Sequence, residues 1–158
     1  MNEIPRVVFD TNILFSAVGW LGNPHRCVQA ARQGKCRAVT CEAILDELAE
    51  KLQLKRGLDA SKAAEIIDEI RAFSKVIAIP GALKVIAADP DDDDVLECAV
   101  VGQARYLVSG DRHPSAAIGQ AQYLVSGDPH LLALGNYQGI QIVKAAEFLA
   151  LLQSAPKA

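Results

Sequence analysis

Residues 6–12 read RVVFDTN, a short apolar run that ends in three polar residues. The apolar residues do not alternate with polar ones, which is typical of a strand covered on both faces of a sheet. The polar cluster Asp10-Thr11-Asn12 marks the point where this strand should stop. The stretch therefore predicts a buried strand with a carboxylate at its carboxyl end.

The rest of the chain continues with strands and helices in alternation. Asn23-Pro24 predicts a helix start, because asparagine is a good N-cap and proline fits the first helical turn. We expect helices over 23–33, 41–54, 59–73, 89–104 and 145–152, and strands over 37–40, 76–79, 106–108 and 140–143. This order predicts an α/β fold with three layers, α/β/α, around a central parallel sheet. The length of 158 residues suits a single domain over 1–158.

Residues 102–118 (copy 1) and 119–135 (copy 2) form a tandem repeat. Their sequences, GQARYLVSGDRHPSAAI and GQAQYLVSGDPHLLALG, align without gaps and are identical at 11 of 17 positions. Because solenoids need three or more stacked units, a single duplication predicts a local second copy of one strand and its loop. We expect one copy in the sheet and the other as an insertion, an edge strand or an arm exchanged with another subunit.

Composition and charge exclude several classes of protein. The chain is 51% hydrophobic and 22% charged, which suits a packed core rather than a disordered chain. No apolar run approaches the roughly 18 residues of a membrane span, and the start does not resemble a signal peptide, so we expect a cytoplasmic protein. A net charge of −3 gives no overall positive field, so a nucleic acid would need local contacts or bound cations. Four cysteines without a C-x-x-C pair predict reduced, partly buried thiols: Cys27, Cys36, Cys41 and Cys98.

Carboxylates stand where parallel strands should end. Asp10 follows the first strand directly, and Asp111 and Asp128 follow the two copies of the repeated strand. A single acid at such a place often only caps the next helix. Ligands of open parallel sheets bind at the carboxyl ends of the strands, so several acids at this edge favour a binding site.

Two helical acids extend this candidate cluster. The apolar stripe of the helix that contains Asp92 is Val95, Leu96 and Ala99. These residues follow Asp92 at positions i+3, i+4 and i+7, on the same helix face, so the Asp92 side chain should face the sheet. Glu47 lies beside the apolar stripe of an earlier helix. The other acids of the run should form a solvated helix start that suits the helix dipole: Asp91, Asp93 and Asp94.

Three or four carboxylates in one cleft repel one another unless they are protonated or bridged by metal ions. Oxygen ligands without histidine or cysteine favour Mg²⁺ or Mn²⁺ over zinc. Clusters of this kind usually activate water against a phosphate. Scattered basic residues would then screen the approach of a polyanion, and we expect this of Lys51, Lys55 and Arg56.

Four segments in order resemble the PIN domain, and in particular the toxins of bacterial toxin–antitoxin pairs: FDTN (9–12), ILDEL (44–48), DPDDDDVLECA (89–99) and YLVSGD (106–111). The resemblance covers nearly the whole chain and implies an RNA-cleaving nuclease that depends on Mg²⁺ or Mn²⁺. It puts the family's first three acids at Asp10, Glu47 and Asp92, with Thr11 or Asn12 supporting the first. It also implies a small antitoxin partner and a homodimer.

The sequence departs from the family pattern at the fourth acid, because its Ser-Gly-Asp element occurs twice. The spacing that the resemblance implies selects Asp111 when it is counted forward from Asp92. Counted back from the segment 131–134 and the last strand, it selects Asp128. Asp111 and Asp128 cannot easily fill the same place in one sheet, so we expect one of them to join Asp10 and Asp92 as a metal ligand. We favour Asp111, because it follows its helix without an insertion. Ser109 and Ser126 stand where a threonine is expected and keep its hydroxyl.

Two other functions are alternatives to this interpretation, and the sequence argues against the first of them. A haloacid-dehalogenase-type phosphohydrolase would need a second aspartate two residues after Asp10, where this chain has Asn12. A catalytically impaired PIN-fold protein, acting in binding or assembly, would result if the duplication disrupts the cleft. Such a protein would fold and dimerise without metal-dependent cleavage of RNA.

Overall fold

The computed structural model describes residues 4–83, 90–104, 106–109, 122–126, 134 and 136–154. The helices are α1 (Thr11–Gly19), α2 (Asn23–Arg32), α3 (Glu42–Arg56), α4 (Ala60–Phe73), α5 (Pro90–Val101) and α6 (Ala145–Ser154). The strands are β1 (Arg6–Phe9), β2 (Arg37–Cys41), β3 (Ser74–Ile77), β4 (Tyr106–Ser109), β5 (Gln122–Ser126), β6 (Asn136–Tyr137) and β7 (Ile140–Val143). None of the helices in these ranges is long and apolar enough to cross a bilayer.

One sheet joins all of these strands, in the order β3-β2-β1-β4-β5-β7-β6, with additional pairings β1–β5 and β4–β7. In β1, Val8 lies opposite Val39 of β2 on one side and opposite Leu107 of β4 on the other, and both pairings are parallel. The two-residue strand β6 joins the outer edge of β7 in antiparallel direction. The sheet is therefore parallel at its centre, and the predicted three-layer α/β/α fold is confirmed.

The central strand β1 is buried as its sequence predicts. Val7 and Val8 are completely buried, and Phe9 is 2% exposed. Because successive side chains of a strand point to opposite faces, burial of all three requires cover on both faces of the sheet. Phe148 of α6 meets Phe9 edge to face with ring centroids 6.3 Å apart, and α5 packs against β1 and β2.

The end of α5 is built by the first residues of copy 1. Gln103 has a left-handed φ of 54°, and the Ala104 N–H donates to the carbonyl oxygen of Ala99 at 2.9 Å. These are features of a Schellman ending. A Cβ atom on Gly102 would lie 2.6 Å from Cγ1 of Val39, so only glycine lets the chain pass this close to β2. Copy 1 thus leaves α5 in a fixed direction.

Three elements differ from their prediction. Helix α1 was missed, because Asp10 starts it through its main-chain carbonyl oxygen and the stronger start signal lies downstream at Asn23-Pro24. The strand expected at 76–79 is β3, which begins two residues earlier, directly after α4. The short strand β6 has too little sequence to carry a pattern.

Both copies of the repeat contribute a strand to the sheet. β4 is the strand of copy 1 and β5 the strand of copy 2, and each pairs in parallel with β1 and with β7. Neither strand lies at an edge of the sheet, so the expected extra edge strand is not observed in the described part of the sheet. The two strands also share partners, because Ile142 lies opposite Leu107 in one pairing and opposite Leu124 in the other.

Candidate active site

The first predicted acid lies at the carboxyl end of β1. The main-chain carbonyl of Asp10 accepts from the N–H groups of Ile13 at 2.9 Å and Leu14 at 3.2 Å, which starts α1. Its own N–H donates to the carbonyl oxygen of Val108 in β4 at 3.3 Å. Asp10 is 4% exposed. Main-chain bonds to a helix and to a neighbouring strand therefore hold this buried carboxylate at the sheet edge.

Glu47 of α3 is attached to the same edge by Thr11. The Thr11 hydroxyl donates to Oε1 of Glu47 at 2.7 Å. Thr11 is 1% exposed, whereas the Glu47 side chain is 23% exposed. Hydrogen bonds to an ionised acceptor are short and strong. The bond therefore fixes the second predicted acid against the residue that follows Asp10.

Lys51 completes this arrangement. Its Nζ donates to Oδ1 of Asn12 at 2.6 Å and lies 3.5 Å from Oε2 of Glu47, one helical turn away. The four side chains form what we call the Glu47 network: Thr11, Asn12, Glu47 and Lys51. The resemblance predicts Thr11 or Asn12 as support for the first acid. In the described contacts their hydroxyl and amide groups bind the second acid and its lysine.

The basic residues of α3 differ from one another. Lys55 is exposed, as predicted for a residue that meets a polyanion. The expectation for Arg56 is wrong, because its guanidinium nitrogens are buried and have no hydrogen-bond partner among the described residues. Arg56 stacks on the ring of Phe15 at 3.9 Å and on that of Trp20 at 4.6 Å. Its role is to join α1 to α3 by cation–π contacts.

Helix α5 carries its acidic first turn toward the carboxyl end of β2. The Cys98 thiol donates a hydrogen bond to Cys41, the last residue of β2. This bond, with N–H groups at the start of α3, lowers the pKa of Cys41. Burial and the charge of Asp94 act in the opposite direction but do not outweigh it. The same bond, together with burial, raises the pKa of Cys98 well above its usual value. All four cysteines are free and buried, as predicted.

Asp92 lies in the first turn of α5, and its side chain is outside the described part of the chain. Asp93, expected in a solvated helix start, is 6% exposed, so that expectation is wrong. One turn later Glu97 is 5% exposed and accepts from the N–H of Ala82 at 3.1 Å. The sequence signal for this second buried acid was the i, i+4 spacing, which places Asp93 and Glu97 on one helix face.

The candidates for the fourth acid, Asp111 and Asp128, lie outside the described residues. The backbone of the preceding serines is described, and Ser109 lies opposite Ser126. Both follow a valine that lies opposite Phe9: these are Val108 and Val125. Asp10 follows Phe9 just as Ser109 and Ser126 follow these valines. The register therefore aligns the backbone of both serines with that of Asp10.

The donors of this edge suit a hard divalent cation by their chemistry. Asp10 and Glu47 offer carboxylate oxygens, the ligand type that Mg²⁺ and Mn²⁺ take. Within the described ranges, no three or more His, Cys, Asp and Glu side chains group closely enough to hold a metal ion. The side chains of the other predicted ligands, Asp92, Asp111 and Asp128, lie outside the described residues.

Comparison with known proteins gives one family. A family model described as PIN domain matches residues 6–113, more than half of the chain. The matched range contains β1, α3 and α5 and, within the repeat, only copy 1 as far as His113. No curated protein matches the chain.

Proposed function

From the premise that this chain belongs to the PIN-domain family, a family of nucleases, we propose that it is an endoribonuclease that requires Mg²⁺ or Mn²⁺. The observation that carries the proposal is the pair of carboxylates at the carboxyl end of β1. Asp10 is held there by main-chain hydrogen bonds, and Glu47 is held there by Thr11. In open parallel sheets this edge is where ligands bind.

The proposed ligands of the cation are Asp10, Asp92 and one acid of the repeat, Asp111 or Asp128. A divalent cation supplies positive charge for the scissile phosphate and for the water that attacks it. The family match ends within copy 1 and so supports Asp111. The hydroxyls of Ser109 and Ser126 are proposed to support whichever acid follows them.

Glu47 is proposed to orient water or substrate. A carboxylate has about four acceptor positions. One oxygen of Glu47 accepts from Thr11, and the other lies 3.5 Å from the Lys51 ammonium group. Acceptor positions are left for water or for the hydration shell of a cation. The lysine offsets the negative charge that would otherwise repel a phosphate.

RNA as the substrate is supported by the family resemblance and by the charge distribution. The chain has a net charge of −3, so overall charge does not attract RNA. Positive charge near the site comes from Lys51, inside the Glu47 network, and from the exposed Lys55 four residues further along α3. We further propose a cytoplasmic toxin that forms a homodimer and is inhibited by a small antitoxin; the resemblance to such toxins supports this.

Cleavage of a labelled single-stranded RNA tests the proposal. We expect cleavage with Mg²⁺ or Mn²⁺, none with EDTA, and a loss of about 100-fold or more in Asp10→Asn, the upper end for removal of a group that supports a metal site. Asp46→Asn is the matched control, because Asp46 is an exposed acid beside Glu47. Cleavage that survives both EDTA and Asp10→Asn would refute the assignment. Folded protein that cleaves none of several RNAs would instead support the catalytically impaired binding protein.

A further inference from the structure

In the strand order β4 and β5 both lie between β1 and β7 and pair with each other at Ser109 and Ser126, yet each of them also pairs directly with β1 and with β7. One edge of β1 is occupied by β2, and the outer edge of β7 is occupied by β6. Each repeat strand pairs with both of the remaining edges, which is the pairing of a strand that fills a single position between β1 and β7. Neighbouring strands lie about 4.8 Å apart, and each edge of a strand holds one neighbour at a given residue.

The two repeat strands occupy this position in the same register. Gln141 lies opposite Tyr106 and also opposite Tyr123, and Ile142 opposite Leu107 and also opposite Leu124. On the β1 side, Phe9 lies opposite Val108 and also opposite Val125. In each case the two partners are equivalent residues of the repeat. The pairings of β4 and β5 are therefore alternatives for one position.

Exchange of the two strands changes little in the core. Residues 106–111 and 123–128 have the same sequence, YLVSGD. Because the two segments are identical in sequence and take the same backbone register, the hydrophobic pattern cannot select one copy. The nearest difference is Arg105 against Gln122, just before the identical segment.

The connections permit both arrangements. With copy 1 in the sheet, Ala104 leads almost directly into β4, and residues 110–135 return the chain to β6. With copy 2 in the sheet, residues 105–121 lead from Ala104 to β5, and residues 127–135 return it. The free energy of closing a loop rises only slowly with its length, so these connections bias the choice weakly. The ending of α5 at Ala104 is retained in both.

We propose that β4 and β5 are interchangeable occupants of this single position. The folded chain exchanges between two isomers, one with copy 1 in the sheet and one with copy 2, and the other copy then lies outside the sheet. In each isomer the strand in the sheet leads into its own Ser-Gly-Asp element beside β1. The proposal rests on strand register and on repeat identity, and it does not depend on nuclease activity.

Equilibrium urea unfolding of Leu107→Asp, Leu124→Asp and the double variant tests the exchange. An aspartate at either position excludes that copy from the completely buried site that Leu107 fills. With equally populated isomers, each single variant loses one of two folded forms, so its folding equilibrium constant falls by only about twofold. The double variant has no strand for the position and should lose cooperative unfolding. Val8→Asp is the control, because it puts a charge into the buried strand β1, for which the chain has no second copy.

Each other result overturns the proposal. If one single variant loses as much unfolding free energy as the double variant, only that copy occupies the position in the folded protein. If both single variants lose as much unfolding free energy as the double variant, the sheet contains both strands at the same time. We expect a large loss of stability in Val8→Asp and nearly unchanged stability in each of the two single variants of the repeat.

Amide hydrogen exchange measures the occupancy directly. A strand that is in the sheet half of the time exchanges only about twofold more slowly than an open chain, whereas β1 should be strongly protected. We expect weak protection in both β4 and β5 of the unsubstituted protein, and protection of β4 close to that of β1 in Leu124→Asp. Strong protection of one copy and none of the other, already in the unsubstituted protein, would overturn the exchange.

Discussion

The half of the molecule built from β1, β2 and helices α1 to α3 contrasts with the repeat. In that part each contact joins residues that occur once in the chain: Thr11 donates to Glu47, and Lys51 donates to Asn12 and lies 3.5 Å from Glu47. In the repeat, two strands of identical sequence meet the same residues of β7. Hydrophobic pattern determines which kind of strand fills a position and in which register. It cannot choose between two copies that are equal.

Core truncations should show the largest difference between the two regions. Leu48 of α3 and Leu107 of β4 are both completely buried. We expect Leu48→Ala to lower the free energy of unfolding by about 2–5 kcal/mol, because it leaves a cavity. Leu107→Ala should lower it by less than about 1 kcal/mol, because the intact copy 2 takes the position. Equal losses in urea unfolding would remove the distinction between the regions.

Two buried threonines sharpen the comparison within the single-copy half. Thr11 donates to Glu47, whereas the Thr40 hydroxyl is buried without a hydrogen-bond partner in the described part of the chain. Thr11→Val should lower the free energy of unfolding by about 1.5–3 kcal/mol, the range for a hydrogen bond to a charged group. It should also reduce RNA cleavage by about 10–100-fold, because Glu47 is then no longer held.

Thr40→Val is the matched control for that substitution, since it has the same change in shape and removes a hydroxyl that contributes no bond. We expect unchanged or increased stability, by up to about 1 kcal/mol. Similar losses in the two variants would show that the Thr11–Glu47 hydrogen bond is not what stabilises this edge.

The smallest expected effect is at the exposed pair of Glu42 and Arg71, where α3 meets α4. The guanidinium nitrogens of Arg71 lie 2.5 and 2.7 Å from the Glu42 oxygens and hold the pKa of this carboxyl below its ordinary value of 4.5. A carboxyl with a lowered pKa in the folded state stabilises it above its ordinary pKa, and loses this effect as pH falls through the folded pKa. At pH 7 the urea midpoint of Glu42→Gln should therefore be slightly lower than that of the unsubstituted protein. In acid the two midpoints should be equal. Glu50→Gln, on an exposed acid of the same helix, is the control, and a difference that grows in acid would contradict the pairing.

Sequence predicted those parts of the fold that depend on local pattern. The buried strand β1 and the parallel sheet follow from apolar runs that alternate with capped helices. Helix α1 was missed because its start depends on a main-chain carbonyl, which every residue has. The family resemblance assigns Asp10 and Glu47 to one site, and in the structure Thr11, the residue after Asp10, binds Glu47.

The remaining site residues depend on how helices cross, which a single sequence does not contain. The Thr11 hydroxyl binds the second acid because α1 passes beside α3. Arg56 resembles any surface arginine in sequence, and it is buried because two aromatic residues of the α1 region lie over it. Asp93 was assigned to solvent from its place in an acidic run, although its spacing from Glu97 predicts a shared face. For the repeat, equal sequences leave no local pattern that could separate the copies.

The position of Trp20 has a consequence for measuring how these two regions unfold. Trp20 is the single tryptophan of the chain, and it lies over Arg56 at the junction of α1 and α3. Tryptophan fluorescence therefore reports on this junction alone, whereas circular dichroism reports on all helices and strands. Coincident unfolding curves from the two probes would show one cooperative unit. A fluorescence transition at higher urea than the circular dichroism transition would show that the junction of α1 and α3 unfolds after other parts of the molecule.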